Sequence, residues 1–272
     1  MRRTGWTTLA ATIAVIALAG CGDGTTSSTS TTARGTVDPA ALKEVSRASA
    51  RLTDAGSAHF TLDGRFTVQD EDVPVHSSGD MTTAGVPRGT LDMAILVPGP
   101  DGKPTPIRTE ARIIGYKMYM RVPEEALEDP ARPWQSMTLP PAAIQASDPS
   151  FQARAMRYAT EARKVGTEKV GGVRTTRYRV TVDYGALAKS GPAAIRKVAE
   201  AVTATGVPKQ TSEVWIDRAG IPRRLKADVA TKTNAADSAI DIRIDHLGVP
   251  VHVEAPPADR VSDAGLLGTN PA

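Results

Sequence analysis

Hydrophobic and polar residues alternate over much of the chain, which is the pattern of strands with one buried face. Turn residues separate these segments, most clearly the run Pro98-Gly99-Pro100-Asp101-Gly102. The pattern therefore predicts successive antiparallel strands in the first half of the chain. They are expected at 60–68, 91–97, 107–113 and 116–122.

A helix is predicted in front of these strands. Asp38-Pro39 supplies a capping carboxylate and a proline for the first helical position, and apolar residues then recur at helical spacing to about Ala55. Further helical stretches are expected at 142–162 and at 184–205, the second interrupted near Gly191-Pro192.

The second half of the chain also predicts strands. The clearest is a hairpin of 164–170 and 173–183, which Gly171-Gly172 join in a turn with positive φ angles. Later strands are expected at 212–217, 222–231 and 239–245. The segment 123–141 carries five prolines around Trp134 and is predicted to be a surface loop.

The order of these elements indicates the fold class. Nine to eleven strands with three helical insertions do not alternate as a parallel βαβ fold requires. We expect an α+β domain at 38–265 with a short tail at 266–272. Its main feature is a large antiparallel sheet curved around helices on one face.

The N-terminus resembles a bacterial export signal. Arg2 and Arg3 precede an apolar run from Leu9 to Leu18, which is shorter than the roughly 20 residues of a membrane-spanning helix. Leu18-Ala19-Gly20-Cys21 resembles the lipobox, in which the cysteine is acylated after cleavage. An ordinary signal peptide followed by an incidental cysteine is the alternative.

A membrane anchor at Cys21 would place the domain on the extracytoplasmic face of the cell membrane. The segment 21–37 is rich in Gly, Ser and Thr and is predicted to be a flexible tether that spans about 20 Å on average.

Charge and cysteine content exclude several classes. The chain has 33 basic and 30 acidic residues, and removal of Arg2 and Arg3 with the signal peptide leaves 31 against 30, a net charge of +1. A nearly neutral chain without a basic run is not expected to bind nucleic acid. One cysteine cannot form an internal disulfide or an all-cysteine metal site.

Catalytic patterns are not found. His59, His76, His246 and His252 lack metal-ligand spacing, and no nucleophile elbow or phosphate-binding glycine loop occurs. The carboxylate pairs at 124–125 and 128–129 lie in a polar, proline-rich stretch typical of solvated charge. We therefore expect no enzyme activity, no metal and no cofactor.

The positions of the methionines allow two interpretations. Six methionines follow Cys21, and three of them fall on neighbouring predicted strands. Methionine is flexible and polarizable, so it can fill gaps in a core or line a site of variable shape. Both interpretations stay open from the sequence. The six are Met81, Met93, Met118, Met120, Met137 and Met156.

Four segments carry a further signal: 57–62 (SAHFTL), 166–178 (GTEKVGGVRTTRY), 213–225 (EVWIDRAGIPRRL) and 248–256 (GVPVHVEAP). Together they resemble the LppX/LprG-type, LolA-like family of actinobacterial lipoproteins. The resemblance covers about 38–262. It implies a half-barrel with helices on its concave face, enclosing an apolar cavity that binds and carries a lipid, glycolipid or acylated molecule without catalysis. Envelope transport proteins are the implied partners.

Alternation and the implied concave face together nominate a cavity lining. The alternative to a lipid-binding function is a noncatalytic envelope sensor or protein-interaction module on the same fold, with a small, dry interior. The nominated residues are Phe60, Leu62, Phe66, Leu91, Met93, Ile95, Met118, Met120, Val180, Val214, Ile216 and Ile242.

Overall fold

The computed structural model describes residues 38–68, 71–98, 104–123, 127, 129–138, 149–204, 206–229 and 238–266. Twelve strands form within these ranges. They are β1 (Ser57–Val68), β2 (Glu71–Thr82), β3 (Arg88–Pro98), β4 (Pro104–Ile114), β5 (Lys117–Arg121), β6 (Trp134–Thr138), β7 (Ala159–Val170), β8 (Val173–Asp183), β9 (Lys209–Asp217), β10 (Pro222–Val229), β11 (Ser238–Asp245) and β12 (Val261–Leu266).

The strands form a single open sheet in the order β12-β6-β5-β4-β3-β2-β1-β11-β10-β9-β8-β7. Neighbouring strands pair antiparallel, except that β12 runs parallel to β6. Within the described ranges, four α-helices accompany the sheet, and a 3-10 turn at Met156–Tyr158 follows the second. They are α1 (Pro39–Asp54), α2 (Pro149–Ala155), α3 (Tyr184–Ser190) and α4 (Ala193–Ala204). The predicted α+β class and curved antiparallel sheet are confirmed.

Local sequence explains the elements that were predicted well. The Asp38 carboxylate accepts hydrogen bonds from the backbone N–H groups of Ala40 and Ala41 at 3.0 and 3.1 Å, which caps α1. Gly171 and Gly172 join β7 to β8 with φ angles of 54° and 80°, in the region that favours glycine.

Two predictions of secondary structure are wrong, and two strands were not predicted. Residues 134–138 form strand β6 rather than a loop. Pro133 lies directly before the strand, so it does not interrupt the hydrogen bonds between β6 and β5. Residues 159–162 belong to β7 rather than to a helix, since β7 pairs with β8 along its length. The sequence analysis also missed β2 and β12.

Other predictions fall on residues outside the described ranges. These are Cys21, the signal peptide and the tether, the glutamates at 124, 125 and 128, and the tail beyond Leu266. The predicted domain bounds stay predictions.

The main core lies between α1 and the sheet. Ala41, Val45, Ala48 and Leu52 of α1 are buried and cluster with Phe60 and with buried residues of β8 to β11. This pairing of an amphipathic helix with an alternating sheet explains why the helix packs on the concave face. Along the chain, the buried partners in β8 to β11 are Val180, Val214, Ile216, Leu225, Ala227, Ile242 and Ile244.

A second cluster joins α2, α3 and α4 near the end of β8. Phe151, Val182, Tyr184, Ile195 and Val198 are its largest buried members. Tyr184 is 1% exposed, and burial strongly raises the pKa of its phenol because the charged form loses hydration.

This raised pKa predicts loss of stability in alkali. Below a pH of about 10, Tyr184 is neutral in both states and does not affect the pH dependence. Above that pH the unfolded chain releases the proton while the folded chain keeps it, so the free energy of unfolding falls by about 1.4 kcal/mol per pH unit. Urea unfolding between pH 8 and 11 measures this slope. Tyr184→Phe is expected to reduce it, and an unchanged slope would contradict the assignment to Tyr184.

After β11 the chain crosses the convex face of the sheet as a strap, defined here as residues 247–257. The N–H of Gly248 donates to the Ser57 carbonyl at 2.8 Å. Further along, the Arg88 and Arg112 guanidinium groups donate to the carbonyls of Val253 and Glu254, each at 3.1 Å. A 3-10 turn at Ala258–Arg260 connects the strap to β12, which pairs with the outer edge of β6.

Candidate functional site

The concave face carries apolar side chains across most of the sheet. Phe60 of β1 lies opposite Ile244 of β11 and Gly79 of β2, and the same row continues through Leu91 and Ala111. Because side chains alternate between faces along every strand, the neighbouring rows share this face at every second residue. The register therefore brings the residues nominated from the sequence together on one face of the sheet.

Helix α1 covers the part of this face formed by β1 and β7 to β11. Five of the nominated side chains in this part are between 0 and 3% exposed and belong to the main core. They pack on the protein's own helix, which leaves them no free surface for a ligand. These residues are Phe60, Val180, Val214, Ile216 and Ile242.

The nominated residues farther along the face are only half-buried. Leu62, Leu91 and Met118 contact the edge of the main core, while Met93 and Met120 are half-buried without belonging to a core cluster. These five residues, defined here as the open apolar patch, lie on β1, β3 and β5. Phe66 and Ile95 take the same alternation in β1 and β3, but their side chains are outside the described set.

Small residues separate the members of the open apolar patch. Ser77 lies between Leu62 and Met93 in the register, and Ala111 lies between Leu91 and Met120. Large side chains beside small ones leave a corrugated apolar surface with grooves between the ridges. The sequence analysis did not nominate Val75, Ile107 and Ile240, which are half-buried on the same face. Alternation alone also places Ile240 with Ile242 and Ile107 with Ala111, whereas Val75 lies on β2, which was not predicted.

The sequence left open whether the methionines fill the core or line a site, and the structure has three in each environment. Met81, Met137 and Met156 are 1 to 6% exposed and fill the core. Met93, Met118 and Met120 are half-buried and belong to the open apolar patch.

One phenol lies on the covered part of the face. Burial raises the pKa of Tyr178, and the Glu44 and Asp38 carboxylates raise it further. Tyr178 therefore stays neutral near pH 7, and the face carries no charge from this group.

Two openings lie elsewhere in the described structure. One, of about 510 Å³, is lined by Arg47, Arg51, Asp54 and neighbouring apolar residues at the end of α1. The other, of about 310 Å³, lies on the convex face between strands β1 to β3 and the strap, with His59, Asp80 and His252 in its wall. Neither opening is lined by a nominated residue.

The histidines of the strands are engaged with carboxylates. His59 Nδ1 lies 2.7 Å from Asp80 Oδ1 and its Nε2 lies 3.0 Å from Ser78 Oγ, while His76 Nδ1 lies 2.7 Å from Asp63 Oδ1. These side chains are partly exposed on the convex face. In the described part of the chain, histidine, cysteine and carboxylate groups form no cluster of three that would hold a metal ion.

No family model matches the chain, and no curated protein matches it. Among solved structures, LprF from Mycobacterium bovis is 16% identical with a TM-score of 0.49, over 82% of this chain and 99% of that chain. The lipoprotein LppX from Mycobacterium tuberculosis is 14% identical with a TM-score of 0.44, over 80% and 100%.

A complex of MucA and MucB from Pseudomonas aeruginosa is also similar. It is 12% identical with a TM-score of 0.33, over 81% of this chain and 62% of that chain. LppX, one of these solved structures, gives its name to the family that the sequence resembles. Similarity at this level concerns the fold, and it assigns no ligand, partner or residue role to this chain. No helix of the described ranges has the length and apolar composition to cross a membrane.

Proposed function

We propose that this chain is a noncatalytic lipoprotein that binds an acyl chain of a lipid, glycolipid or acylated molecule on its concave face. One observation carries the proposal: the open apolar patch continues the core surface but keeps its five side chains only half-buried. Transfer of a methylene group from water to an apolar surface is favourable by about 0.8 kcal/mol, so binding along this patch stabilises an acyl chain.

The anchor and the location are part of the same proposal. Cleavage after Gly20 and acylation of Cys21 would hold the domain at the extracytoplasmic face of the cell membrane by the tether at 21–37. A tether of this length keeps the domain close to lipid without fixing its orientation. Such a protein could pass its ligand to envelope transport proteins.

A charged residue in the open apolar patch tests the binding surface. Met93→Glu is expected to weaken binding of a fluorescent palmitoyl phosphatidylglycerol at least about tenfold, because an acyl chain would bury the carboxylate without a partner. The matched control is Ala94→Glu, since Ala94 is the next residue of β3 and lies on the convex face. Both variants are made in the full chain with Cys21→Ser, and fluorescence titration measures the affinity.

Native mass spectrometry of the same chain completes the test. Copurified lipid, or uptake of the probe that Met93→Glu weakens and Ala94→Glu preserves, supports the proposal. Equal binding by the two folded variants would refute the assigned surface. A protein without copurified lipid and without uptake would favour the sensor or protein-interaction alternative.

A further inference from the structure

The large exposed apolar residues of the described chain lie at one end of the strands, in or beside the turns that connect them. Its large exposed hydrophobic side chains are Val86, Tyr116 and Val173, at 62, 48 and 39% exposure. Each lies in or beside a turn, between β2 and β3, β4 and β5, and β7 and β8 respectively. The ladders place these turns at the same end of the strands, because Arg88 lies opposite Ile114 and Thr175 opposite Asp217. We define these turns and the β9–β10 turn as the turn edge.

Cationic side chains stand beside the apolar ones. Lys117, Lys169, Arg174 and Arg218 are exposed in or next to the same turns, and no carboxylate of the described chain forms an ion pair with them. Asp217 in the β9–β10 turn is buried and bound to Arg223 at 2.9 Å. The turn edge is therefore positively charged, although the chain after residue 20 is nearly neutral.

We propose that the turn edge docks on a bilayer that contains anionic lipids. Apolar side chains at turn tips can enter the headgroup region, and neighbouring Lys and Arg side chains are attracted to anionic headgroups. Between the β4–β5 and β7–β8 turns lie seven strand spacings, or roughly 34 Å at about 4.8 Å each. Contacts at both ends of such an arc would fix the orientation of the domain on the surface, which one contact cannot do.

This docking is separate from acyl binding on the concave face. The turn edge shares no residue with the open apolar patch, so either proposal can fail without the other. It also differs from the acyl anchor, because the anchor holds the domain near a membrane of any charge, whereas the turn edge requires anionic lipid.

A polarity-sensitive label tests the contact directly. The full chain with Cys21→Ser and Val86→Cys carries one thiol, which is labelled with nitrobenzoxadiazole. Vesicles of phosphatidylcholine are compared with vesicles containing equal parts of phosphatidylcholine and phosphatidylglycerol. With phosphatidylglycerol we expect a blue-shifted emission that nitroxide-labelled lipid quenches, and little change with phosphatidylcholine alone. The control label is Ser190→Cys at the end of α3, which follows the opposite end of β8.

Charge reversal provides the second arm. Lys169→Glu, Arg174→Glu and Arg218→Glu together are expected to raise the lipid concentration needed for half the spectral shift at least about tenfold. The circular dichroism spectrum and the urea midpoint of this variant should match those of the unsubstituted chain, which shows that the fold is intact. Equal spectra of the Val86 label on both vesicle types, an equal response of the Ser190 label, or a response that survives charge reversal would each overturn the docking proposal.

Discussion

Replacing Gly79 by alanine is expected to lower the free energy of unfolding by about 3 kcal/mol or more. A methyl group on Gly79 would overlap the carbonyl oxygen of Thr90 in β3 and lie 2.9 Å from the Cα of Leu91. These are backbone atoms, so relief requires β2 and β3 to separate, and their hydrogen-bonded ladder weakens. Urea unfolding followed by circular dichroism measures the change.

A glycine in open space provides the control. No atom lies within 4 Å of a Cβ built on Gly166 in β7, and Gly166→Ala is expected to change stability by less than about 1 kcal/mol. If Gly79→Ala unfolds at the same urea concentration as Gly166→Ala, β2 and β3 do not approach each other as closely as described.

Replacing Leu52 by alanine is expected to cost about 2 to 5 kcal/mol of unfolding free energy. Leu52 is 0% exposed in α1, and its side chain belongs to the cluster that joins the helix to the sheet. Removing it leaves a cavity that the sheet cannot fill without moving. Thermal and urea unfolding give the difference from the unsubstituted chain.

Lys43→Ala on the exposed side of α1 is the matched substitution, with an expected change within about 0.5 kcal/mol. Similar losses for the two variants would contradict the description of Leu52 as a core contact between α1 and the sheet. A loss confined to Leu52→Ala, with probe uptake retained, would separate the sealed part of the concave face from the open apolar patch.

Local patterns predicted much of the fold because the relevant interactions are local. Asp38 caps α1 within its own turn, and Gly171-Gly172 define a hairpin between adjacent strands. The choice of face was also readable, since alternation places Leu62 with Phe60 and Met120 with Met118. Strand β12 was missed because its pairing with β6 joins residues more than 120 positions apart, and no local pattern encodes that contact.

The sequence did not predict which part of the concave face α1 covers and which part stays half-buried. Val180 and Met93 have the same alternating context, yet one is sealed under α1 and the other is half-buried. The difference depends on where the helix crosses the sheet, which is a tertiary property. Likewise, the position of Val86 and Val173 at the same edge follows from strand directions and not from either turn alone.

The strap and β12 have a consequence for how the chain folds. The outer edge of β6 pairs with β12, which follows it by more than 120 residues. A chain that folds as it emerges from its N-terminus would expose that edge until β12 is available. Unpaired strand edges are templates for intermolecular association. Pairing of β12 with β6 is therefore a late, high-contact-order step, and the nascent domain depends on β12 to protect this edge against aggregation.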